Sequence, residues 1–229
     1  MQTKLGSCWR HRLIGPELNA FLMGEGSTDY AFLTVLLERA LGELAVCKSL
    51  SVAPVQRLQV NVGDPIGRHR AICSAARDAA PSLSVLFVHY DGSASVERET
   101  GKYWDPLRRE WEKFGPSGRL LLRVVPIQEM ESWALADRKT LQSVVGASWN
   151  AKDIFEGGRL DRPEELSDPK RTLREIIAAG RSKRRVKRDP RDYLPLIAER
   201  MNLRTLEQLS SFRLWQLETE KALADLNFN

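Results

Sequence analysis

Residues 83 to 88 read Leu-Ser-Val-Leu-Phe-Val, a run too short for a helix and too apolar for a strand with one wet face. Such a strand has to be covered on both sides, which is the condition of a parallel sheet sandwiched by helices. The flanking sequence supplies the rest of that arrangement. Leu18–Met23 is a second short apolar run, closed by Gly24. Val55–Val62 alternates apolar and polar residues and ends at Gly63-Asp64-Pro65, and Leu120–Val125 is stopped by Pro126. Between these runs lie segments with helical spacing. Phe32, Val35, Leu36 and Ala40 mark one from Ser27 or Thr28 to about Leu41, and Ile72, Ala75, Ala76 and Ala79 mark Ile66–Ala80. Val96–Phe114 and Glu129–Val145 complete the series.

Residues 18–145 therefore alternate strand and helix four times. The expected fold class is α/β: a mainly parallel sheet of four or more strands flanked by helices. Trp149–Arg162 has no clear period and reads as a loop, followed by helices at Pro169–Ala179, Tyr193–Met201 and Ser210–Leu226. The expected organisation is an α/β part over 1–147 and a helical extension over 148–229 packed on it. In open parallel sheets, ligands sit beyond the carboxyl ends of the strands. The acidic residues of interest all follow those ends.

Glu25 lies in the turn Gly24-Glu25-Gly26-Ser27-Thr28-Asp29, between a strand and a helix. The glycines permit close approach to the backbone, and a helix start suits an anion such as phosphate. Asp29 falls in the first helical turn, where a carboxylate also simply favours the helix dipole. Asp91 follows the strongest strand and precedes Gly92, a position suited to a metal ligand or to an Asx turn. His89 lies two residues before it on the same strand face. Glu129 and Glu131 follow the fourth strand; residues two apart on a regular helix diverge, so both face one point only if Glu129 precedes the helix proper. Trp133 is expected to pack behind this pair. Asp137 is either an accessory carboxylate or a cap for Arg138-Lys139. Carboxylates of this kind suit Mg2+ or Mn2+, hard cations that keep part of their water shell.

In order and spacing these residues resemble the TOPRIM fold of topoisomerases, primases and overcoming-lysogenization-defect nucleases, where a glutamate follows the first strand and Asp-x-Asp a later one. Glu129–Asp137 (EMESWALAD) and Asp168–Leu173 (DPKRTL) look more specifically like uncharacterised bacterial TOPRIM-like proteins. Members of that group are often encoded beside an ABC-type ATPase. The resemblance covers most of the chain. It implies that Glu25 is a metal ligand or general acid/base and that Asp29 is the second acid of Glu-Gly-x-x-Glu. Asp91 becomes one aspartate of Asp-x-Asp. This chain departs from the pattern there: the other position is His89 or Ser93, depending on which aspartate Asp91 represents. Glu129 or Glu131 stands in for the lost carboxylate, or the site holds one metal, or it is a non-catalytic copy. The implied activity is metal-dependent cleavage of DNA or RNA, as an effector in defence against phage. The alternative is a sensor or binding subunit docking on an ATPase.

The net charge of +5 is too small to identify a partner by itself, but it is unevenly placed. Arg181–Arg191 (RSKRRVKRDPR) holds seven basic residues, among them Lys183, Arg184, Arg185, Lys187 and Arg188. They form the expected nucleic-acid contact, a solvated loop, or a contact for an acidic partner protein; the resemblance adds Lys170 and Arg171, at the start of a predicted helix, as basic residues reaching the pocket. Cys8, Cys47 and Cys73 are odd in number and far apart, and Met1–Arg12 is followed by no apolar leader core. The expected location is the cytoplasm.

Overall fold

A computed structural model describes residues 16–46, 50–60, 67–146, 161–181 and 190–226. Four parallel strands form the main sheet: β2 (Ala20–Met23), β4 (Gln56–Arg57), β5 (Val85–His89) and β6 (Leu120–Val124), in the order β4-β2-β5-β6. Two short strands, β1 (Glu17–Leu18) and β3 (Ser51–Val52), pair separately. The helices are α1 (Ser27–Val46), α2 (Arg68–Asp78), α3 (Val96–Glu99), α4 (Asp105–Phe114), α5 (Glu131–Ala134) and α6 (Arg138–Val145). They continue as α7 (Pro169–Arg181), α8 (Tyr193–Arg200), α9 (Leu203–Leu206) and α10 (Ser210–Ala224). This is the α/β architecture expected from the strand–helix alternation.

All five residues of β5 are buried, so the most apolar run is the sheet's centre. Its side chains alternate between two cores, as the period of a strand requires. Val85 and Phe87 join Leu22, Val124 and the inner face of α1, while Leu86 and Val88 join Phe21, Met23 and the α2–α4 side. The first core also takes Ile176, Ile177, Tyr193, Ile197, Phe212 and Trp215 from the C-terminal helices. α10 therefore covers one face of the sheet: Trp215 meets Phe87 at a ring-centroid separation of 6.0 Å.

Four local expectations need correction. Leu18–Met23 is not one strand. It breaks at Asn19, whose N–H is taken by Ser84 Oγ at 3.1 Å and whose carbonyl accepts from Ser84 N, so its two ends pair with different strands. Of Val55–Val62 only Gln56 and Arg57 form a ladder, because this strand lies at the sheet's edge and its side chains there are exposed; residues 61–66 lie outside the described residues. The segment 96–114 is interrupted by a π turn over Thr100–Trp104, just before Pro106, which has no N–H to continue the α-helical ladder. The segment 129–145 is two helices, because Asp137 accepts the Thr140 N–H and starts a new one.

Candidate acidic site at the sheet's switch point

The chain leaves β2 for β4 on one side and reaches β5 on the other, so the connections diverge between β2 and β5. In open parallel sheets that divergence marks the crevice where ligands sit, beyond the strands' carboxyl ends. The turn after β2 is locked by its own side chains. Asp29 Oδ2 accepts the N–H groups of Glu25 and Gly26 at 2.9 and 2.8 Å, the reaching-back half of a capping box. The Tyr30 hydroxyl bonds both the N–H and the carbonyl of Gly24, at 2.9 and 3.2 Å. The first helical turn is thus closed by Asp29. Glu25 projects from this frame at the rim, its carboxylate 3.9 Å from Arg68 and its side chain 43% exposed.

His89 ends β5 and is buried. Its Nδ1 lies 3.0 Å from the Val124 carbonyl on β6, which requires that nitrogen to carry a proton. Nε2 then faces the crevice, 3.5 Å from Asp91 Oδ1 and 3.9 Å from Asp29 Oδ2. The histidine therefore stands where its ring joins the β2 and β5 carboxylates. Gly92 makes the next approach possible: its N–H donates to the Pro126 carbonyl at 2.9 Å, and an added Cβ would lie 2.6 Å from that oxygen. Beyond it, Ser93 and Gln128 exchange backbone hydrogen bonds at 2.9 and 3.0 Å, both with positive φ (48° and 64°). This bridge ties the loop after β5 to the loop after β6.

The tie brings the remaining acids in. Asp91 Oδ1 accepts the Met130 N–H at 3.1 Å, and Glu129 Oε2 accepts the Lys170 N–H at 3.2 Å. Glu131, the first residue of α5, is buried with its carboxylate 3.9 Å from Lys170 Nζ. Glu129 precedes the helix, so it and Glu131 both reach Lys170 at the start of α7. Burial raises the Glu131 pKa to about 7; Lys170 opposes the rise, while Glu129 and Asp91 add to it. Burial also raises the Asp91 pKa, His89 and the Met130 amide pull it down, and Asp29 and Glu129 push it up. The cluster is short of positive charge.

Trp133 is fully buried behind α5, packed edge-on against Phe212 at 5.1 Å and donating to Ser211 Oγ at 2.7 Å. Asp137 stands outside the cluster. Its Oδ1 accepts the Thr140 N–H, and its Oδ2 accepts the Thr140 hydroxyl and the Asn202 N–H at 2.8 and 2.9 Å. Burial alone would raise its pKa, but these hydrogen bonds outweigh it and hold the carboxyl below its ordinary value. Arg171 turns to Glu175 at 2.8 Å. Lys183, Arg184, Arg185, Lys187 and Arg188 lie outside the described residues.

The donors offered by Asp29, Asp91, Glu129 and Glu131 are hard oxygens, the chemistry that magnesium or manganese takes. Among the described residues, however, no three His, Cys, Asp or Glu side chains stand in a ready-made ligand arrangement. Asp29, Asp91 and Glu129 each spend an oxygen on backbone N–H groups.

Fold and site together define an open parallel α/β protein with a histidine–carboxylate cluster at its topological switch point. The chain belongs to the family described as a domain of unknown function (DUF4276), which it matches over residues 24–218. That span holds every acidic residue of the cluster. No curated protein and no solved structure matches the chain. Among the described residues, no helix is long and apolar enough to cross a membrane.

Proposed function

We propose that this chain is a TOPRIM-like, metal-dependent enzyme acting on phosphodiesters, a nuclease of DNA or RNA. The observation that carries the reading is the meeting of Asp29, His89, Asp91, Glu129 and Glu131 from three successive strand ends. The raised pKa values of Asp91 and Glu131 support it, because surplus buried negative charge favours a cation. Asp91 with Glu129 or Glu131, and Asp29, would hold Mg2+ or Mn2+. When bound, such an ion supplies charge stabilisation to a transferring phosphoryl group and acidifies a coordinated water. His89, held by Val124 through Nδ1, offers Nε2 to the crevice for proton transfer. Glu25, on its locked turn at the rim beside Arg68, would accept or return a proton from that side. The resemblance carried by the sequence adds an ABC-type ATPase partner and a role in phage defence to this proposal, and the scattered cysteines add a cytoplasmic setting.

A second reading has its own observation. Three of the carboxylates already accept backbone N–H groups, and Glu131 already has Lys170. A cluster so satisfied suits a non-catalytic subunit that docks on an ATPase.

Cleavage of plasmid DNA and of RNA with Mg2+ or Mn2+ separates the two, using wild type, Glu25→Gln and Asp91→Asn. The enzyme reading expects metal-dependent nicking that both substitutions abolish. No nicking by the wild type, or nicking indifferent to Asp91→Asn, leaves the second reading.

A further inference from the structure

We infer that the face built by β4, the start of α2 and α4 is a track for a nucleic-acid backbone, leading to Glu25. The inference rests on the phosphodiester reading above and names the surface by which that substrate would be held.

Three openings adjoin one another around the start of α2. A groove of about 490 Å³ is lined by Gly24, Glu25, Tyr30, Arg57, Gln59 and Arg68 among others. A small cavity of about 20 Å³ shares Glu25 and Arg68 with it and adds His69, His89 and Tyr103. A second groove, of about 570 Å³, shares His69 with that cavity and continues over Arg70, Arg109, Glu110 and Lys113. The wall is therefore continuous from the Gly24–Gly26 turn to the outer face of α4. The small cavity is too narrow for a base, so the surface suits a backbone passing over it.

Charge distinguishes this face. The two grooves present Arg57, Arg68, Arg70, Arg109 and Lys113 against Glu25 and Glu110. The comparably large groove beside α10 balances Arg108, Arg123 and Lys221 against Asp105, Glu218 and Asp225. The apolar pocket at the start of α10 sets Arg123 against Glu97 and Glu218. A surplus of cations thus lies beside the acidic site and is missing from the other two openings. Its members are held ready. Arg57 lies over the Tyr30 ring at 4.1 Å and Arg70 over Phe114 at 4.4 Å, so each guanidinium is braced by an aromatic face. Arg109 and Lys113 are exposed and four residues apart on α4, hence on one face. Arg68 spans the join, 3.9 Å from Glu25. Phosphates spaced along a chain match such a row; a single anion would need only one of its members.

The test is binding of a short fluorescein-labelled DNA strand in EDTA, followed by anisotropy over a series of salt concentrations. Wild type is compared with Arg57→Gln/Arg109→Gln/Lys113→Gln, all exposed positions, and with the control Arg213→Gln/Lys221→Gln on α10. The triple variant should bind at least ~10-fold more weakly at low salt, and its salt slope should be shallower by about 0.7–0.9 for each phosphate that the variant leaves unneutralised. The control should match wild type. Inorganic phosphate at the same phosphate concentration should not displace the strand, whereas unlabelled strand should. A triple variant indistinguishable from wild type overturns the inference, as does a wild type that binds no strand or releases it to inorganic phosphate. Because no metal is present, failure here is separable from failure of the nuclease reading. Cleavage with binding indifferent to the triple substitution sinks the track alone. Track-dependent binding without cleavage under metal sinks the nuclease alone.

Discussion

Glu131 gives the cluster a measurable cost. The residue is 6% exposed, and its carboxyl titrates at about 7, against 4.5 for a free glutamate. The folded protein therefore prefers the protonated acid, and ionising it works against folding. Each tenfold change in proton affinity is worth about 1.4 kcal/mol, so the gap amounts to about 3 kcal/mol once the group is ionised in both states. Below pH 4.5 the group is protonated in both states and the cost is absent. It grows as the pH rises from 4.5 to about 7 and is constant above that. Glu131→Gln keeps the shape and removes the titration. In EDTA, urea unfolding of wild type and variant should differ little at the acid end, and the variant's relative stability should climb by about 3 kcal/mol towards pH ~8. Adding Mg2+ at that alkaline end should recover stability for wild type more than for the variant. A difference that does not change with pH, or that changes in the opposite sense, refutes the assignment of Glu131 as a buried, charge-starved acid.

Two further substitutions test the scaffold. Gly92→Ala places a methyl 2.6 Å from the Pro126 carbonyl oxygen and 3.0 Å from Val96 Cγ2, so it should cost about 2 kcal/mol and lower Tm by roughly 5 °C in calorimetry; a variant that melts with wild type would mean that the two loops do not approach so closely. Asp137→Ala unties the start of α6 and the Asn202 N–H together and should destabilise by about 2 kcal/mol in urea titration at neutral pH without altering metal binding; lost metal binding in a folded variant would return Asp137 to the site.

The layers of this fold were legible because burial on both faces leaves a mark in composition. Leu83–Val88 could be nothing but an inner strand, and the helical faces of α1 and α2 follow from residues three and four apart. The strand ends named the acidic positions for the same reason: a buried run has to stop where the chain turns, and Glu25, Asp91 and Glu129 stand just beyond. What could not be read is set by partners far apart in sequence. Glu129 and Glu131 converge because Lys170, on a helix 41 residues after Glu129, receives them both. The entry to α5 is irregular because Ser93 holds Gln128. The basic surface left no mark in the sequence, unlike the run at 181–191, because Arg57, Arg68 and Arg109 come from three separate elements, and only the folded chain sets them along adjoining grooves.

The Ser93–Gln128 bridge has a mechanical consequence. Two neighbouring strands would ordinarily end in loops that wander separately. Here each loop holds the other by a reciprocal pair of backbone bonds, with both residues in a conformation that side chains rarely adopt. Asp91 sits two residues from one end of this clasp and Glu129 one residue from the other. A displacement of either loop is therefore passed to the other through this bridge. Lengthening one loop would not merely move its own acid; it would release the opposite one as well.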